Sequence, residues 1–237
     1  MAIAPPPKLG KGLSIIGAAA AALLWFWPGD APWLLWLNLA APPLAFIPLL
    51  LWPGQFTLGG RAKGLSAPRQ NLAGLWTLPS LALAMCAWSP DFERVYTAMP
   101  VIGGLGLGIV FTAIGALVDP RARREMIVFL LMAGTAWGWG LLTFANVEFD
   151  RTPGVIRPAV IADKDPGRRS GPTLVVGLQD SRLTGLRFRV SYAAYESVKA
   201  GDAACVEDNP GAFGWRTLWL VECTAPLREV ITPEPAW

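Results

Sequence analysis

Five long apolar stretches follow one another through the first 146 residues, and short polar links separate them. The first, 13–27, reads LSIIGAAAAALLWFW and carries no charge. It follows Lys8 and Lys11 and ends in WFWPGD, not in a small-x-small cleavage site, so it predicts a retained helix and not a removed signal peptide. The second, 31–52, is interrupted by Pro42, Pro43 and Pro48, which predict a kink or a locally unwound turn. The third, 72–88, holds Pro79 and lies at the short limit for a span, roughly 17 residues. The fourth and fifth are 100–118 and 126–145. Together they predict a multi-span α-helical membrane domain of about five transmembrane helices.

After residue 146 the pattern changes. Residues 155–163, 173–178 and 184–190 read as strands. In the last of these Leu186, Phe188 and Val190 face one way, and Arg187 and Arg189 face the other. Pro158 places part of the first strand at an edge or bulge. Ser191 is positioned to cap a short helix over YAAYESVK, and 203–207 and 215–223 supply two further strands around the NPGAFG turn. The expected layout is 1–146 helical, 147–223 a small all-β domain with a barrel-like (SH3-like or OB-like) fold, and 224–237 a Pro-rich tail. Membrane helices followed by a small β-barrel resemble the NfeD-like proteins in layout. The 17-residue phrase VKAGDAACVEDNPGAFG resembles the turn-and-strand passages of small barrels. The resemblance implies an architecture and no activity.

Charge sharpens this division. Residues 1–146 hold 9 of the 20 Lys and Arg and 5 of the 17 Asp and Glu; the last 91 residues hold the remaining 11 and 12. The cations of the first part gather in alternate links. Lys8 and Lys11 precede the first helix, Arg61, Lys63 and Arg69 follow the second, and Arg121, Arg123 and Arg124 follow the fourth. The intervening links are poor in Lys and Arg, so the positive-inside rule places the N-terminus in the cytoplasm and the β-domain outside. Together with the composition, this points to a bacterial inner membrane and a periplasmic or extracellular domain. The net charge of +3 is not a nucleic-acid signal, because the basic residues sit in loops and form no continuous face.

Small residues recur at helix spacing. Gly104, Gly108, Thr112 and Ala116 line one face of the fourth helix, and Gly134 and Gly138 line one face of the fifth, a pattern that lets helices approach closely. The glycines do not complete a phosphate-binding fingerprint. Asn38 is the intramembrane polar residue, expected to bond a neighbouring helix. Trp25, Trp27, Trp33 and Trp36 flank the first link as an aromatic belt.

Sites for chemistry are scarce. The chain has no His, which removes His-based general-base catalysis and His-ligated metals. Its three Cys show no CxxC spacing, and no cofactor is expected. Glu196, Asp202, Glu207 and Asp208 are the carboxylates from which a glycosidase pair would have to come. Cys205 and Cys223 can form a disulfide in an exported domain, although a hairpin centred on NPGAFG sets Cys205 nearer residue 218. The expected function is a non-catalytic envelope protein. Its partners are the bilayer and another protein, the latter met through a surface that includes Arg187, Arg189 and Tyr195. The alternatives are a transporter or channel subunit and a membrane-anchored enzyme.

Overall fold

A computed structural model describes residues 8–26, 32–59, 70–88, 93–94, 98–119, 126–167, 171–178 and 185–223. Trp27, the first link, the basic clusters at 61–69 and 121–124, and the tail at 224–237 lie outside the described residues. The chain divides into two compact units, Met1–Ser89 with Ala98–Phe144, and Pro90–Thr97 with Ala145–Trp237.

The first unit is helical and membrane-embedded. Its helices are α1 (Leu9–Phe26), α2 (Pro32–Leu44), α3 (Phe46–Leu51), α4 (Ala73–Trp88) and α5 (Ala98–Val118), joined by most of α6 (Ile127–Glu148). In hydrocarbon every backbone N–H and C=O must be satisfied within the segment, which makes helix the available form for such apolar runs. Among the described residues four runs are long and apolar enough to cross a bilayer: Leu9–Phe26, Trp33–Leu51, Ala98–Val118 and Ile127–Glu148. Their outward side chains stay apolar: Leu117 is 82% exposed and Val128 67%.

Two of the runs depart from a plain spanning helix. The run at 72–88 forms a 16-residue helix, α4. At 1.5 Å per residue it reaches about 24 Å, short of the roughly 30 Å hydrocarbon core, so among the described residues it is a shorter apolar helix beside four of spanning length. The run at 31–52 breaks at Ala45 into α2 and α3, the interruption that its prolines predict. Pro42 and Pro43 lack the amide that would continue the ladder. The carbonyl of Leu39, which Pro43 cannot bond, instead accepts the indole N–H of Trp137 at 3.0 Å.

Glycine sets how closely the helices approach. A Cβ on Gly17 of α1 would lie 2.6 Å from the carbonyl oxygen of Gly74 in α4, and one on Gly74 would lie 2.7 Å from that of Ser14. Trp76, Phe46, Phe111 and Leu130 fill the core beside this crossing. A short parallel ladder joins β1 (Phe56–Thr57) to β2 (Gln70–Asn71). The carboxylate of Asp119, buried just past the end of α5, accepts from Thr57 Oγ1 at 2.8 Å and from the Leu58 amide at 3.1 Å.

The second unit is a six-stranded antiparallel sheet in the order β3-β8-β7-β4-β5-β6. The strands are β3 (Glu93–Arg94), β4 (Val155–Asp165), β5 (Thr173–Leu178), β6 (Leu186–Arg189), β7 (Ala203–Asn209) and β8 (Thr217–Val221), with the short helix α7 (Tyr192–Ser197) between β6 and β7. The eleven-residue β4 pairs with β7 through its first half and with β5 through its second. A bulge between Ile161 and Asp163 bends it. The terminal strands β3 and β6 come into contact, so the sheet is nearly closed into a barrel. Pro158 lies opposite Cys205, just before the β5 ladder begins, where its missing amide is tolerated. Ile161, Leu174, Val176, Phe188, Val206 and Leu218 form the interior. Strand β3, supplied by the link between α4 and α5, has no counterpart in the sequence reading.

Candidate interaction surface

The residues nominated for helix packing meet in pairs. A Cβ on Gly104 would fall 2.6 Å from the amide nitrogen of Trp139, and one on Gly108 would fall 2.6 Å from that of Thr135. From the other side, a Cβ on Gly134 would fall 3.1 Å from Gly108 Cα and one on Gly138 2.9 Å from the Gly104 oxygen. The four glycines thus form one seam between α5 and α6. Thr112 is buried and its hydroxyl donates to the Gly108 carbonyl at 2.7 Å, while Ala116 is half-buried. Asn38 is fully buried; its amide donates to the Ala20 carbonyl at 3.0 Å and to the Leu34 carbonyl at 2.8 Å, tying α2 to α1. Trp25, Trp33 and Trp36 are 51%, 60% and 46% exposed, as aromatic side chains facing lipid would be.

The three nominated partner residues part ways. Arg187 and Arg189 project outward from β6, the strand at one end of the sheet. Arg187 pairs with Asp165, and both are well exposed to solvent. Tyr195 instead packs against the barrel interior, and the ammonium of Lys164 lies 4.2 Å above its ring centroid. That ammonium also donates to the Val198 carbonyl at 2.6 Å. Tyr195 is therefore a margin of the core more than a free contact.

The four carboxylates sit in different surroundings. Asp208 is buried and accepts from Arg157 Nε at 2.8 Å and Arg216 Nε at 3.0 Å, with a second bond from the Arg216 guanidinium. Burial alone would raise its pKa, but the hydrogen bonds and charges of Arg216 and Arg157 outweigh it and hold the carboxyl below the ordinary value. A general acid needs the opposite shift. Asp202 accepts the Lys199 amide at 2.7 Å, closing the turn before β7, and Glu196 is exposed on α7.

Glu207 lines a cavity of about 350 Å³ on the outer face of β7 and β8, with Asn209, Thr217, Trp219, Val147 and Asp150. The disulfide Cys205–Cys223 bridges the same two-strand region, with its Cα atoms 5.1 Å apart. The register differs from that expected: Cys205 lies opposite Val221, because Asn209 pairs with Thr217 and the loop between them holds seven residues, 210–216. Cys223 then sits one diagonal step from Cys205, within bonding reach.

That long loop is held by the end of α6. Asn146, 2% exposed in the last turn, donates through its amide to the Trp215 carbonyl at 2.7 Å. Its side-chain oxygen accepts the Phe213 amide at 3.0 Å, and its backbone carbonyl accepts the Ala212 amide at 2.8 Å. Asp150 accepts the Gly211 amide at 2.7 Å. Gly211 has φ +77°, and a Cβ there would lie 2.5 Å from the Trp215 oxygen, so no other residue fits. The sequence reading passed over Asn146 and Asp150. The available signal was an amide and a carboxylate placed just where the apolar run gives way to the β-domain. No family model, curated protein or solved structure matches the chain, so its reading rests on its own residues.

Proposed function

We propose that the chain is a non-catalytic integral membrane protein of the bacterial inner membrane. Its helices anchor and pack, and its exported β-domain docks a protein partner. The observation that carries this reading is where the polar groups are spent. Asn38 and Thr112, the intramembrane residues best placed to line a pathway, both donate to backbone carbonyls inside the helical unit. The exposed polar chemistry lies on the β-domain, around Arg187 and Arg189 on β6. The outward cations of β6 suit an acidic partner segment.

The orientation belongs to the same proposal. N-terminal and alternate-link cations favour a cytoplasmic N-terminus. Pairing of β3 with β8 supports placing the α4–α5 link on the same side as the β-domain. The Cys205–Cys223 bond fits an oxidising compartment. In this reading α4 completes a fifth, short crossing.

The test is photocrosslinking in intact cells from positions 187 and 189, with Tyr195 as a half-buried comparison. One identified protein captured at 187 and 189, and lost from 187 when Arg189→Glu is added and from 189 when Arg187→Glu is added, supports docking. Capture of this chain alone, or of nothing, sinks it. The transport reading retains one kind of observation, buried polar atoms of the helical unit that make no hydrogen bond: Asn38 Oδ1 and the hydroxyls of Thr77, Thr135 and Thr143. Flux through reconstituted protein that Asn38→Leu abolishes would favour that reading.

A further inference from the structure

We infer that the turn Pro210–Trp215 is an interfacial foot, a site at which the β-domain enters the headgroup layer of the leaflet from which α6 emerges. The argument begins with depth. Helix α6 carries no charge before Glu148, its last residue, and its apolar run gives way at Asn146, so the chain leaves the hydrocarbon close to Asn146. Three hydrogen bonds join Asn146 to Ala212, Phe213 and Trp215, and Asp150 adds a fourth at Gly211. Atoms bonded directly to the exit point of a spanning helix share its depth to within a few ångströms.

Composition supplies the second half. The turn reads PGAFGW and has no charge. Phe213 is 48% exposed, and its ring meets that of Trp215 edge-on, with centroids 5.2 Å apart. Phe149, just after the helix end, is 58% exposed. In water an aromatic tip on a rigidly bonded loop gains nothing from this exposure. At the membrane interface Phe and Trp are the side chains that partition best, and such groups sit roughly 5–10 Å into the headgroup and acyl boundary. The flanking charges indicate which lipids matter. Among the described residues beside the turn, Glu148 and Arg151 are both exposed, Asp150 is taken up by the turn and Arg216 is paired with Asp208, so these make no basic cluster to select anionic headgroups. The foot therefore binds through its aromatic surface and is indifferent to headgroup charge and to salt.

The test uses the full chain with Cys86→Ala and the disulfide intact, reconstituted in phosphatidylcholine vesicles. A nitroxide is placed at Phe213→Cys, and separately at Ala212→Cys in case the first label disturbs the turn. Power saturation with oxygen and a water-soluble nickel chelate reads depth. Glu196→Cys on α7 is the aqueous reference and Leu105→Cys on α5 the hydrocarbon reference. The expected result is an oxygen-to-nickel ratio at 212 and 213 between the two references, unchanged by 20% phosphatidylglycerol or by high salt. A ratio equal to that of Glu196→Cys overturns the foot. So does shielding from both reagents, which would indicate a protein contact. An aqueous ratio at Leu105→Cys would instead overturn the spanning reading of α5, and the foot with it.

Discussion

Asp208 holds two guanidinium groups at the seam between β4 and β7, and its removal would take that counter-charge from both Arg157 and Arg216. Because both arginines remain about one-third exposed, solvent softens the loss, and Asp208→Ala is expected to cost about 2 kcal/mol. Thermal denaturation of the detergent-solubilised protein reads it; an unchanged midpoint would show the cluster to be ornamental. The same residue sets an acid limit. Its carboxyl is depressed in the folded state, so its contribution is complete above the unfolded value of 3.8 and is lost as pH falls through the lower, folded value. Acid unfolding should therefore steepen below about pH 4 in the parent protein and lose that component in Asp208→Asn. In the helical unit Gly108 is the corresponding pivot. Gly108→Leu must push α5 from α6 and should cost more than about 3 kcal/mol. Gly106→Leu, one residue pair away in open space, should be tolerated. Equal yields of folded protein from both variants would contradict the close approach.

At the scale of the element, the disulfide is the clearest lever. It closes a separation of 18 residues, and Cys205→Ser with Cys223→Ser should lower stability by about 3 kcal/mol through a freer unfolded chain. Alkylation before and after reduction in intact cells checks the bond itself, with Cys86, outside the disulfide, as the internal reference. Asn146→Ala should loosen the 210–216 loop, seen as faster amide exchange at Ala212 and Phe213, while leaving the β4–β5 ladder protected. Strand β6 was legible because its alternation is local: Leu186 and Phe188 point inward and Arg187 and Arg189 outward, a pattern that any half-buried strand must show. Strand β3 was not legible, since a two-residue pairing has no period and its partner lies far along the chain. The hairpin register was misjudged for a related reason. A turn drawn from NPGAFG alone closes on itself, whereas this one is spread by bonds to Asn146 and Asp150. Helix existence was equally plain from apolar length, and the break at Ala45 from Pro42 and Pro43; that Trp137 satisfies the Leu39 carbonyl is supplied only by the tertiary arrangement.

For the molecule as a whole, the charge pattern makes a prediction that needs no partner. A phosphatase reporter fused after residue 223 should be active, since that enzyme folds only outside the cytoplasm, and one inserted within 61–69 should be silent. The reverse pair would invert the orientation; activity at neither position would mean that the chain does not reach the inner membrane as proposed. One feature of the β-domain then bears on how the protein is made. Glu93 and Leu218, cross-strand partners, are separated by 125 residues, and both α5 and α6 lie between them. The ribosome releases β3 long before β8 exists. The link that carries β3 must therefore wait, unpaired, while α5, α6 and the rest of the sheet are made. Completion of the sheet thus requires the chain before α5 and the chain after α6 to meet, so the last pairing of the domain depends on how the intervening helices are threaded.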